Sequence, residues 1–194
     1  MNWGDEKTLA TAAIHRSDID WSQIQPLALD EINGALVVQD NETALTLALT
    51  PASLAGWNAA ALPVDFCNTR AVMAGSKELD PIDIKGLLGC AGSSSWYAIS
   101  GMQIYAAQTG LNVVYTKRIA ALVADSDTNV LTAKYSGILL YALLKHACQR
   151  IQDFDARDEH ANALAGLIGD ANAAYAMTIS AGQMSRTPYA VVSN

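Results

Sequence analysis

The spacing of apolar residues changes twice along this 194-residue chain, and that change constrains its fold more than any other feature. Near the start, small and apolar side chains recur at three- and four-residue steps, the period of a helix with one buried stripe. Residues 4–14 fit that period through Ala10, Ala13 and Ile14, and His15-Arg16-Ser17-Asp18 ends the segment. Asp20 or Ser22 caps a second helix over about 22–37, where Ile24, Leu27, Ala28, Glu31, Ile32 and Leu36 keep the helical step. Pro26 is placed in its first turn, where proline is tolerated. From Thr43 to Thr50 the period becomes two, with leucines at 45, 47 and 49, which predicts a strand ended by Pro51.

Residues 52–60 read as a loop and Leu62-Pro63-Val64-Asp65-Phe66 as the start of a tight turn or a single helical turn. Further strands are predicted at 69–74, 82–85, 95–99, 102–105 and 111–116, with Ser100-Gly101 as a hairpin turn. After a polar stretch at 125–129 the helical period returns over 131–151. It breaks near Asp153-Phe-Asp155 and resumes over 156–180. The expected fold is mainly α: a bundle of N-terminal and long C-terminal helices with an inserted small antiparallel β-sheet. In residues, the helical body is 1–38 and 131–181, the β-rich insertion 39–130, and an extended tail 182–194.

Composition narrows the function. Charged residues are only 16% and apolar residues 51%, so the surface is weakly charged and faces hidden in an assembly are expected. Twelve basic against nineteen acidic side chains give a net charge of -7, which argues against an electrostatic grip on nucleic acid or anionic lipid. Cys67, Cys90 and Cys148 are odd in number and far apart, the pattern of free thiols in a reducing compartment. The acidic opening Met1-Asn-Trp-Gly-Asp-Glu lacks the positive start of a signal peptide, and no apolar run reaches the ~20 residues of a membrane span. A soluble chain without a membrane partner is expected.

Candidate chemistry is thin. Asp125-x-Asp127-x-Asn129 copies the first half of a calcium loop, but Val130 stands where its glycine is required and Ser136 where its bidentate carboxylate is required. It reads as a capped loop. Asp153, Asp155, Asp158 and Glu159 straddle a helix start, where carboxylates are favoured, with Arg150 and Arg157 beside them. His146 and His160, on the two C-terminal helices, have no third ligand at metal spacing. His146 reads as packed or interfacial, His160 as solvated. Gly86, Gly89, Gly92 and Ser95 belong to a small-residue stretch without the Gly-Lys-Ser/Thr ending of a phosphate loop. No enzyme, cofactor or metal is expected. Trp57, in an alanine-flanked loop, is read as an aromatic anchor for a neighbouring subunit, with core filling as the alternative.

Several motifs in order resemble those of tailed-bacteriophage head–tail adaptor proteins. They are Asp5-x-Lys7-Thr-Leu9, Ile14-His-Arg16-Ser-Asp18-Ile19, Ala28-x-x-Glu31-Ile32-Asn33, Leu62-Pro-Val-Asp-Phe66 and Tyr97-Ala-Ile-Ser-Gly101-Met-Gln-Ile104. The longest is Tyr115-Thr-Lys-Arg118-Ile-Ala-Ala-Leu122, followed by Asp125-Ser-Asp-Thr-Asn129-Val-Leu131 and Tyr135 through Leu143. Together they cover roughly 4–175. Ala120 and Ser136 stand where that pattern has prolines, and Gly34 where it has an arginine.

The resemblance implies a structural virion protein in the neck between capsid and tail, assembled in the host cytoplasm. It implies a ring of twelve copies that binds the portal protein and a tail or stopper protein, with DNA passing through unread. On that reading Tyr189, Val191 and Val192 dock on the portal, and Arg16, Asp18 and Glu31 (with Trp57) make contacts between subunits. The Gly86, Gly89, Gly92 and Ser95 loop docks the tail. The alternatives are a non-viral oligomeric interaction module and a metal-dependent hydrolase using Asp153, Asp155 and Asp158 with a histidine.

Overall fold

A computed structural model describes residues 1–38, 41–52, 56–90 and 93–184, with side chains of the last helix described through residue 178. The chain divides into two compact units, residues 1–40 with 119–194, and residues 41–118. The helical unit begins with α1 (Trp3–Ile14), held by a reciprocal capping box between Asn2 and Asp5. His15, in the left-handed region at φ 53°, ends it. Asp20 caps α2 (Trp21–Ala35) by accepting the Ser22 N–H at 3.0 Å. Because α2 starts at Trp21, Pro26 falls in its second turn, not its first.

The helix expected over 131–151 is two helices, α4 (Val130–Lys134) and α5 (Ser136–Arg150). Tyr135 leaves helical geometry between them, at φ -127° and ψ 39°, where the poor helix formers Ser136 and Gly137 follow. A Cβ at Gly137 would stand 3.4 Å from the Leu167 side chain, an ordinary contact. The last helix, α6, runs Phe154–Met184, past the point where the extended tail was expected to begin.

α2 turns Ile24, Ala28, Leu29 and Ile32 inward, and α5 turns Ile138, Leu139, Ala142, Leu143 and Ala147 inward. With Trp3, Ala10, Leu131, Leu164 and Ile168 they form one core. Ile119 and Leu122 belong to that core as well. Residues 119–130, expected in the β-rich insertion, therefore fold with the helices.

The second unit contains two sheets rather than one. β1 (Glu42–Ala48), β9 (Gly110–Lys117), β4 (Phe66–Ala74) and β5 (Lys77–Glu78) lie side by side in that order. β2 (Thr50–Pro51), β3 (Asn58–Ala61), β8 (Gln103–Ala106), β7 (Trp96–Ser100) and β6 (Asp80–Pro81) make the other sheet. The pairs are antiparallel except β6 with β7, which is parallel. The chain passes from the first sheet to the second at Leu49, so one alternating run supplies an edge to each. The β7–β8 hairpin turns through Gly101 at φ +60°, where glycine is strain-free. Val72, Val113 and Leu111 of one sheet and Tyr97, Ile104 and Ala106 of the other share a core.

Two further expectations change here. Residues 82–85 are not a strand: Asp83 caps α3 (Ile84–Gly89) by accepting the Gly86 N–H, and Leu87 is buried. Residues 58–60, read as loop, belong to strand β3.

Candidate functional site

The residues that mimicked a calcium loop are the fasteners of the helical unit. Asp127 Oδ2 accepts the N–H groups of Val123 and Ala124, each at 2.8 Å, and these bonds hold its carboxyl below the usual carboxylate range. Asn129 caps α4 through Oδ1, which accepts the Leu131 and Thr132 N–H groups, while its Nδ2 donates to the Ala120 carbonyl at 2.8 Å. Asp125 pairs with Lys7 and offers its carbonyl to the Gly4 N–H at 2.9 Å, and the Trp3 N–H donates to the Asp127 carbonyl at 3.0 Å. The loop thereby closes the open end of α1.

Upstream, Gln25 and Asn33 on α2 fix the 119–122 segment. Gln25 donates to the Leu122 carbonyl at 3.0 Å and accepts the Leu122 N–H at 3.2 Å; Asn33 accepts the Ile119 N–H at 2.8 Å. Sequence reading missed Gln25. Its signal was the spacing of eight from Asn33, which places both amides on one helix face.

The acidic cluster does not converge either. Asp153 accepts the Ala156 N–H at 3.2 Å at the start of α6, and Asp158 pairs with Arg157 at 2.6 Å. Arg157 also lies over the Phe154 ring, 5.1 Å from its centroid. The two histidines take separate partners: His146 bonds Glu31 at 2.9 Å, and His160 lies against the Tyr141 ring, 5.8 Å between centroids. His160 is half-buried, not solvated. Burial, helped by Asp153, pushes the Cys148 thiol up, away from reactivity. Among the described residues no group of three His, Cys, Asp or Glu side chains is placed to hold a metal ion.

The proposed contact residues are placed as follows. Arg16 and Asp18 form an exposed bidentate pair at 2.9 and 2.6 Å. Glu31 is committed within the chain, to Lys145 and His146 of α5. Trp57 is 3% exposed and packs with Leu87 and Ala98, edged by Ile82, Ile84, Trp96 and Tyr105. It fills a core and offers no anchor to a neighbour. Gly86 lies in α3, where a Cβ would stand 2.7 Å from Ile82, and Gly89 ends that helix. Ser95 accepts from Lys77 at 2.7 Å. The first part of the expected docking loop, residues 86–89, is therefore the end of a capped helix, and Leu88 on it is exposed. Gly92, Tyr189, Val191 and Val192 lie outside the described residues.

The long final helix is largely exposed toward its end. At 1.5 Å per residue its 31 residues span about 46 Å, twice the length of α5. Its fully buried residues are Leu164 and Ile168, Ala171 packs at the edge of the core, and the Asn172 side chain accepts the Val37 N–H and donates to the Ala35 carbonyl at the end of α2. Ala173, Ala174, Ala176, Met177 and Thr178 beyond it are exposed. No charged residue occurs between Asp170 and Arg186.

A helical body with a two-sheet insertion, carboxylates engaged in caps and ion pairs, and a last helix with an uncharged, largely exposed end suit a structural protein of an assembly. The family model described as SU10 adaptor protein matches residues 2–191, and the chain belongs to that family. Its role is that of a bacteriophage head–tail adaptor, a structural connector that works with portal and tail components in the virion. That role is not enzymatic. The search of curated proteins finds no match.

Proposed function

We propose that twelve copies of this chain form a ring between the portal and the tail, assembled in the host cytoplasm, and that the ring extends the channel through which DNA passes. The observation that carries this reading is the end of α6. Beyond Asn172 it is mostly exposed, carries no charge, and is followed in the sequence by residues 185–194. An uncharged helix end followed by a segment holding Tyr189, Val191 and Val192 suits an apolar groove on a partner better than water. We assign those three residues to portal docking. Arg16 and Asp18, exposed and paired with each other, can exchange partners with a neighbour in the ring. Glu31 reaches a neighbour only by releasing Lys145 or His146. The α3 end, with Leu88 and Gly89 exposed beside Ser95, is assigned to the tail side. A net charge of -7 keeps such a channel from holding DNA.

Truncation after Met184 tests the docking assignment. The shortened chain keeps every described helix and strand, so its circular dichroism should match that of the full chain. It should fail to co-sediment with portal. Undiminished co-sedimentation would overturn the assignment.

A further inference from the structure

Strand β1 has an open edge. The Leu49 N–H donates to the Thr109 carbonyl at 2.8 Å, and Leu49 continues the register in which Ala48 faces Gly110 and Leu45 faces Val113. Antiparallel pairs alternate between exchanging backbone bonds and not. Thr43, Leu45 and Leu47 therefore bond to β9, and the N–H and C=O groups of Glu42, Ala44, Thr46 and Ala48 point away from the sheet. Among the described residues none of these outward groups has a backbone partner. The last of them opens into a groove of about 570 Å³ that Leu47, Ala48, Ala60, Ala61 and Tyr105 help to line.

Proteins blunt free edges with short strands, proline, bulges or charge. The strands at the far edges of both sheets show those devices: β5 is Lys77–Glu78 and β6 is Asp80–Pro81. β1 has none along its length. It runs Glu-Thr-Ala-Leu-Thr-Leu-Ala without bulge or proline, and its single charge, Glu42, is paired with Arg70 at 2.9 Å.

The pattern is also complementary to itself. Two copies laid antiparallel about Leu45 set Ala44 opposite Thr46 and Glu42 opposite Ala48, each pair exchanging the outward backbone groups. Leu45 then meets Leu45 and Thr43 meets Leu47 on the inner face. No like charges are opposed. We infer that the free protein pairs through β1 with the β1 of a second copy, which joins the two four-stranded sheets into one. This goes beyond the adaptor ring: a two-fold contact of one patch with itself cannot repeat between neighbours around a cyclic ring. The pairing belongs to the protein before it joins the ring, and it covers an edge that otherwise templates aggregation.

Sedimentation equilibrium over a wide concentration range, on the full chain, tests this with two double variants at the exposed positions 44 and 46. The wild type should show a monomer–dimer equilibrium. Ala44→Lys with Thr46→Lys opposes lysines across the pair and should weaken the dimer by about tenfold or more. Ala44→Lys with Thr46→Glu opposes lysine to glutamate in the same register and should restore it. Amide exchange of the wild type at Ala44, Thr46 and Ala48 should slow as concentration rises, a readout that needs no variant. A wild type that stays monomeric, an oligomer indifferent to the lysine pair, or one lost equally in both variants would overturn the inference. Ring formation on portal is measured separately, so failure of the dimer leaves the adaptor reading untouched.

Discussion

Glu6 is the residue whose chemistry is least at ease with its place. It is 0% exposed on α1, and neither carboxylate oxygen has a hydrogen-bond partner among the described residues. Burial above all, with Asp5 adding to it and the N-terminal ammonium opposing, raises its pKa from 4.5 to about 7. The folded chain thus holds a proton that the unfolded chain releases near pH 4.5, and stability falls as pH rises from about 4.5 to about 7. Glu6→Gln, a mimic of the protonated acid, should match the wild type at pH 4 and exceed it at pH 8 by up to about 3 kcal/mol. Thermal denaturation at the two pH values measures this. Asp127 has the opposite sign, because its bonds to the Val123 and Ala124 N–H groups favour the carboxylate and weaken on acidification.

At the scale of elements, what was legible in the sequence is what local chemistry decides. The end of α1, the start of α2 and the β7–β8 hairpin follow from the His15–Asp18 stretch, Asp20 and Gly101, each acting on neighbours a few residues away, whereas the Asn2 cap of α1 went unread. Long-range pairing was not legible. Nothing near Trp57 announces that β3 will pair with β8 and that α3 will bring Leu87 over the indole. Nor does the alternation of 43–50 reveal that the strand changes sheets at Leu49. The short run at 82–85 looked extended because Ile82 and Ile84 flank an aspartate; that aspartate is the cap of α3. Residues 119–130 read as part of the insertion because the two amides that hold the segment, Gln25 and Asn33, lie far upstream. Trp57→Ala should empty the small core under α3 and cost the β-rich unit about 3–5 kcal/mol in denaturant unfolding. It should leave the helical unit, and any ring it forms, unchanged, whereas a neighbour-facing tryptophan would reduce ring formation without that loss.

For the whole molecule, a charge-poor chain and a helical body whose last helix ends in an uncharged, largely exposed stretch fit the adaptor role. The ordered motifs that resembled head–tail adaptors prove to be the structural fasteners of this chain: Asn33 on Ile119, Asp127 on its own turn, and Asn129 on α4. They made the family legible while saying little about which surface meets which partner, because the bonds of these three residues are made within the chain. The most direct test is mass photometry, with electron microscopy of the same sample, on the protein alone and mixed with its portal. The account predicts a closed ring of about twelve copies seated on the portal. A small oligomer that ignores the portal at every concentration would contradict it.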